Sequence, residues 1–87
     1  MKKFIVEFLG TFFFLFVILA TGNAFAIGAA LAVAILLGGS ISGGNYNPAV
    51  SFMMVMAGKL PKKDLLPYII AQISGGVAAF AIIKMIK

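Results

Sequence analysis

Asn47 and Pro48 close a polar, glycine-rich stretch, Ser42-Gly43-Gly44-Asn45-Tyr46-Asn47, that interrupts an otherwise strongly apolar chain. Residues of these types can trade hydrogen bonds with a small polar molecule. Asn47 would offer its amide N–H groups to a passing oxygen, and the carbonyls of Gly43, Gly44 and Asn45 would accept in return, as backbone oxygens do where they replace hydration. Glycine allows the close approach this needs. Pro48 suits the first turn of a helix, where its missing N–H is no loss. Asn47 then falls at the N-cap of a short apolar helix, Pro48 to Ala57, ended by Gly58. The summed peptide dipoles would place roughly half a positive charge beside Asn47 and repel cations. The alternative is an ordinary Pro-capped helix start in a loop. The apolar surroundings argue against it, because non-helical backbone at membrane depth survives only when buried in protein or lining a water-filled cavity.

Catalysis has little to work with. The chain has no His and no Cys, and its two acids are Glu7 and Asp64. That leaves no acid–base pair, no metal-ligating cluster and no disulfide. An enzyme is excluded on this ground, and no cofactor or metal is implied. Glu7 lies inside an apolar run, where an unpaired carboxyl is costly and ionisable groups mark functional positions. Only about a turn from the start of that run, it could instead reach interfacial water. Gln72, midway along another run, is a polar support for the loop or, equally, an interhelical hydrogen bond with no tie to it.

The elements that must position these residues are membrane-grade. Of the 87 residues, 63% are hydrophobic and 10% charged, which points to a single-domain, all-α integral membrane protein. Apolar runs at 4–21, 23–41 and 65–83 each approach the length that crosses a bilayer. The break at Gly22-Asn23 leaves room only for a tight turn, so the first two spans form an antiparallel hairpin. At ~1.5 Å per residue the helix at 48–57 reaches ~15 Å, about half of a ~30 Å hydrocarbon core. It is therefore a re-entrant half-helix.

Small residues at Ala24, Gly28 and Ala32 and at Ala71, Gly75 and Ala79 form stripes for close helix packing. The basic residues are all Lys, placed at the chain ends and in one loop as interface anchors rather than as a nucleic-acid surface. Lys2, Lys3, Lys59, Lys62 and Lys63 share one membrane side if the half-helix enters and leaves by the same face, with Lys84 and Lys87 opposite. That bias favours a cytoplasmic N-terminus, whereas pairing of two inverted copies would require insertion in both orientations. Lys2-Lys3, an apolar run and Ala24-Phe25-Ala26 also imitate a cleavable secretory leader, but Glu7 in the apolar region argues against one.

Asn47-Pro48-Ala49, introduced by Ser-Gly-Gly and followed by Val50-Ser51, resembles the signature loop of the major intrinsic protein family, the aquaporins and glycerol facilitators. The resemblance extends along nearly the whole chain. Phe4-Ile5-Val6-Glu7-Phe8-Leu9-Gly10-Thr11-Phe12 is similar to that family's first-helix pattern, and Pro67-Tyr68-Ile69-Ile70-Ala71-Gln72-Ile73-Ser74-Gly75-Gly76 to its third. The family carries two such repeats, inverted in the membrane, and one is present here.

The resemblance implies a passive channel for water and small neutral solutes such as glycerol, with Glu7 holding the loop backbone. It implies a selectivity constriction at Ile27, Ile35, Gly44 and Val50, with Val50 where the family's second repeat normally carries Arg. A missing second pore wall implies an antiparallel homodimer in the lipid bilayer, eight chains in all if a fourfold assembly holds. The rivals are pairing with a separately encoded second half, or a non-channel or lysis-type small membrane protein.

Overall fold

The computed structural model describes all residues, Met1–Lys87, as four α-helices with no strand. They are α1 (Lys2–Thr21), α2 (Ala24–Ser42), α3 (Pro48–Met56) and α4 (Leu65–Ile86), the last preceded by a 3-10 turn at Lys62–Asp64. The Cα trace is 40 Å long and 23 × 20 Å across, enough to reach through a bilayer of about 40–45 Å including its headgroups. Three of the helical segments are long and apolar enough to cross one. Both α1 and α4 run past the apolar stretches at their lysine ends, because Lys is a good helix former whose stem can lie along apolar surface while its ammonium reaches water.

The turn between α1 and α2 is built by two residues. Gly22 takes the left-handed conformation at φ 59° and its N–H donates to Ile18 O, closing α1. Asn23 then caps α2, its Oδ1 accepting from Ala26 N at 2.9 Å. At the other end, α3 stops at Met56, one residue short of the expected terminus. Ala57 is its C-cap, and a left-handed Gly58 at φ 75° lets Lys59 and Leu60 donate to Met54 O.

Helix α1 is the centre of the packing, with α4 on one side and α2 on the other, while α3 lies against α4. Its contact with α4 is a backbone approach at Gly75. A Cβ there would lie 2.6 Å from Phe8 O and 3.0 Å from Phe12 N. Gly75 and Ala79 of the expected α4 stripe are buried.

The expected α2 stripe is a correction: Ala24, Gly28 and Ala32 are exposed, and nothing lies within 4 Å of a Cβ placed on Gly28. The helix buries Ala30, Ala34, Gly38 and Ser42 instead, a stripe of the same period on another face. The choice is made at Gly38, where a Cβ would stand 2.1 Å from the Tyr46 hydroxyl and 2.6 Å from Val6 Cγ1. Two long-range contacts tie the ends of the bundle: Lys3 Nζ to Asp64 Oδ2 at 2.5 Å, and Lys87 Nζ to Ala20 O at 3.2 Å. The first puts the start of α1 beside the α3–α4 connection.

Candidate functional site

Between α2 and α3 the chain turns back on itself through Gly43 (φ 90°), Gly44 (φ 64°) and Tyr46 (φ 55°). For Tyr46, the one non-glycine residue with positive φ, that conformation is held by contacts at both ends of the residue. Its N–H donates to Glu7 Oε1 at 2.8 Å. Its ring slots between α1 and α2 where Gly10 and Gly38 leave room, and its hydroxyl donates to Ala34 O at 2.6 Å.

Glu7 is fully buried and collects four donors. Oε2 accepts from Ser42 Oγ (2.7 Å) and Asn45 N (3.1 Å), and Oε1 accepts from Tyr46 N and Gln72 Nε2 (both 2.8 Å). Four hydrogen bonds offset much of the cost of holding a carboxyl away from water. Ser51, on the first turn of α3, accepts from Asn45 Nδ2 and Gln72 Nε2, both at 2.8 Å. The loop, α1, α3 and α4 are thereby joined through three buried side chains. Ser42 adds two more ties, its Oγ accepting from Gly44 N at 3.2 Å and its carbonyl from the Tyr68 hydroxyl at 2.7 Å.

The network consumes N–H groups and spares carbonyls. The N–H of Gly43 goes to Gly39 O, that of Gly44 to Ser42, and those of Asn45 and Tyr46 to Glu7. The carbonyls of Gly43, Gly44 and Asn45 accept nothing within the chain. Asn45 is thus divided, its side chain tied inward and its carbonyl free. Asn47 is exposed, its Oδ1 accepting from Ala49 N at 2.8 Å and its Nδ2 unengaged. It caps α3 immediately ahead of Pro48, with Ala49 exposed in the same turn.

Of the four residues expected at a constriction, Ile35 and Gly44 lie side by side, since a Cβ on Gly44 would meet Ile35 at 3.4 Å. Val50 is half-buried on α3. Ile27 is half-buried on α2, two turns from Ile35 and about 12 Å along the axis.

Sequence reasoning missed Ser42, Ser51, Tyr46 and Tyr68 as members of this network. A signal existed for Tyr46: helix-interior glycines such as Gly10 and Gly38 cost stability unless something must fit against them. For Ser51 the signal was its place one turn after Asn47. No group of His, Cys, Asp or Glu is placed to hold a metal.

The whole chain, this loop and the capped helix after it included, matches at residues 1–87 the model of the major intrinsic protein family. The chain belongs to that family. It is 42% identical to a glycerol uptake facilitator protein-like 6 of Lactiplantibacillus plantarum, over 97% of this chain and 43% of that protein. It is 41% identical to an aquaporin Z of Brucella melitensis, over 99% of this chain and 44% of that one. An aquaglyceroporin AqpS of Rhizobium meliloti is 40% identical over 69% of this chain and 26% of its own length. The chain therefore spans less than half the length of these relatives. No solved structure matches it. Major intrinsic proteins are channels rather than enzymes, and membership together with three spanning helices makes this an integral, multi-pass membrane protein.

Proposed function

We propose that this chain supplies half of a passive channel for water and small neutral solutes such as glycerol, completed by a second repeat that enters from the opposite membrane face. The observation that carries the reading is the division of the loop: N–H groups tied to Glu7 and its neighbours, carbonyls of Gly43, Gly44 and Asn45 free, and Asn47 Nδ2 unengaged beside the positive end of α3. A file of acceptors leading to a donor suits a neutral molecule that both donates and accepts, and the helix dipole disfavours a cation.

Nine residues of α3 reach about 14 Å, half the hydrocarbon core. A second half-helix from the other face would bring two Asn47 side chains together at mid-membrane; a parallel one would not. An inverted second copy of this chain is the simplest source, giving four pores from eight chains if the assembly is fourfold. The uncovered Ala24, Gly28 and Ala32 stripe offers that copy a surface for close approach. Ile27, Ile35, Gly44 and Val50 would then make apolar constrictions without a fixed charge, wide in chemical tolerance. The grouping of Lys2, Lys3, Lys59, Lys62 and Lys63 favours a cytoplasmic N-terminus for one orientation. The same bias is the observation that favours a separately encoded second half as the other source.

Osmotic swelling of proteoliposomes holding the purified chain tests the proposal. Water and glycerol should pass while ions and a small anionic dye stay in. Dye leakage would mark a lysis-type pore, and silence restored by a second-half protein would mark the heteromeric pairing.

A further inference from the structure

An apolar furrow of about 350 Å³ runs between α1 and α2, with Tyr46 in its lining and Glu7 outside it. Val6 and Phe13 line it on α1 and Val33 and Leu37 on α2, with Gly10 and Gly38 beside the Tyr46 ring that fills the space they leave. The one polar side-chain atom at its base, the Tyr46 hydroxyl, is already bonded to Ala34 O. Nothing in the furrow rewards water or a polyol, and it suits hydrocarbon.

Lys2 lies in register with this furrow. Positions 2, 6, 10 and 13 follow one face of α1, so Lys2 stands one turn beyond Val6 at the furrow's mouth. Lys3 is engaged by Asp64, whereas Lys2 is exposed and makes no hydrogen bond or ion pair. Lys2 to Phe13 spans about 16 Å along the axis, close to the depth of a single leaflet. An ammonium at the interface above an apolar slot one leaflet deep has the charge and shape of a lipid's complement.

We propose that the α1–α2 furrow is a binding site for an anionic phospholipid, its acyl chain against Gly10, Gly38 and the Tyr46 ring and its phosphate on Lys2. The test is lipid retention by the full chain in detergent, read by native mass spectrometry with phosphatidylglycerol and phosphatidylcholine of identical acyl chains. The wild type should retain phosphatidylglycerol about fivefold better, the preference that one interfacial lysine confers. Lys2→Gln should abolish the preference, Lys62→Gln should leave it intact, and Val33→Trp, which fills the slot, should lower retention of both lipids, with helix content by circular dichroism unchanged throughout. Equal losses in Lys2→Gln and Lys62→Gln would reduce the effect to a diffuse basic surface and overturn the site. Unchanged retention in Val33→Trp, or ready disulfide formation between copies carrying Val33→Cys in vesicles, would overturn it too, the latter by making a second copy the occupant.

Discussion

At the scale of single residues, Glu7 organises the loop. Glu7→Ala would strand the N–H groups of Asn45 and Tyr46, take one of the two acceptors of Gln72 Nε2, and leave Ser42 Oγ only the long 3.4 Å bond to Gly38 O. Each buried donor left without an acceptor costs about 1–3 kcal/mol, so the variant should lose most of its thermal resistance in detergent, measured by circular dichroism on heating. Asn47→Asp is a different kind of change. Aspartate is an equally good N-cap, so α3 should persist, but the free amide donors disappear and a carboxylate offsets the dipole. Water flux should fall or cation leak should rise, and stopped-flow swelling with a conductance assay reads both. If Val50 lines the proposed constriction, Val50→Arg puts a bulky cation into it and should cut glycerol passage far more than water passage. At depth that charge costs ~2.5–3.5 kcal/mol on insertion scales unless it reaches water or carbonyls, so assembly is checked beside the glycerol-to-water permeability ratio.

At the scale of elements, two glycines on different helices separate packing within the chain from packing between chains. Gly75→Ala drives a methyl into the α1 backbone at Phe8 and Phe12. Neither helix can yield without moving the Glu7–Gln72 bond, so a loss of about 1–3 kcal/mol is expected. Gly28→Leu meets open space and should leave the melting of an isolated chain unchanged or slightly raised, since Leu is the better helix former. If the exposed α2 stripe receives a second copy, the same substitution should abolish association measured by cross-linking in bilayers. A Gly28→Leu chain that still assembles and conducts would remove α2 from the pairing surface.

At the scale of the whole molecule, the question is orientation. Lys3–Asp64 places the start of α1 beside the α3–α4 connection at one end of the bundle, and Lys87–Ala20 lies at the other. Single cysteines at Lys63 and Lys87 therefore report opposite membrane sides. In sealed vesicles each should react with an impermeant maleimide from both sides if copies insert both ways. Labelling of each site from one side only would replace the inverted homodimer with a heteromeric pairing.

The spanning helices, the Gly22-Asn23 turn and the Asn47-Pro48 helix start were legible in the sequence, because apolar run length, capping and proline geometry act within a few neighbouring residues. The identities of Glu7 and Gln72 were legible as misfits in apolar runs, yet not the bond between them, nor Ser51, which joins Gln72 to Asn45. Glu7 reaches Gln72 across 65 residues and Tyr46 across 39, and no local pattern encodes which donors a buried carboxylate will collect. The same holds for α2. Ala24-Gly28-Ala32 and Ala30-Ala34-Gly38 have the same spacing, and sequence alone favoured the first. The tertiary structure decided for the second, because the Tyr46 ring, swung in by a loop pinned to Glu7, needs the space that Gly38 leaves.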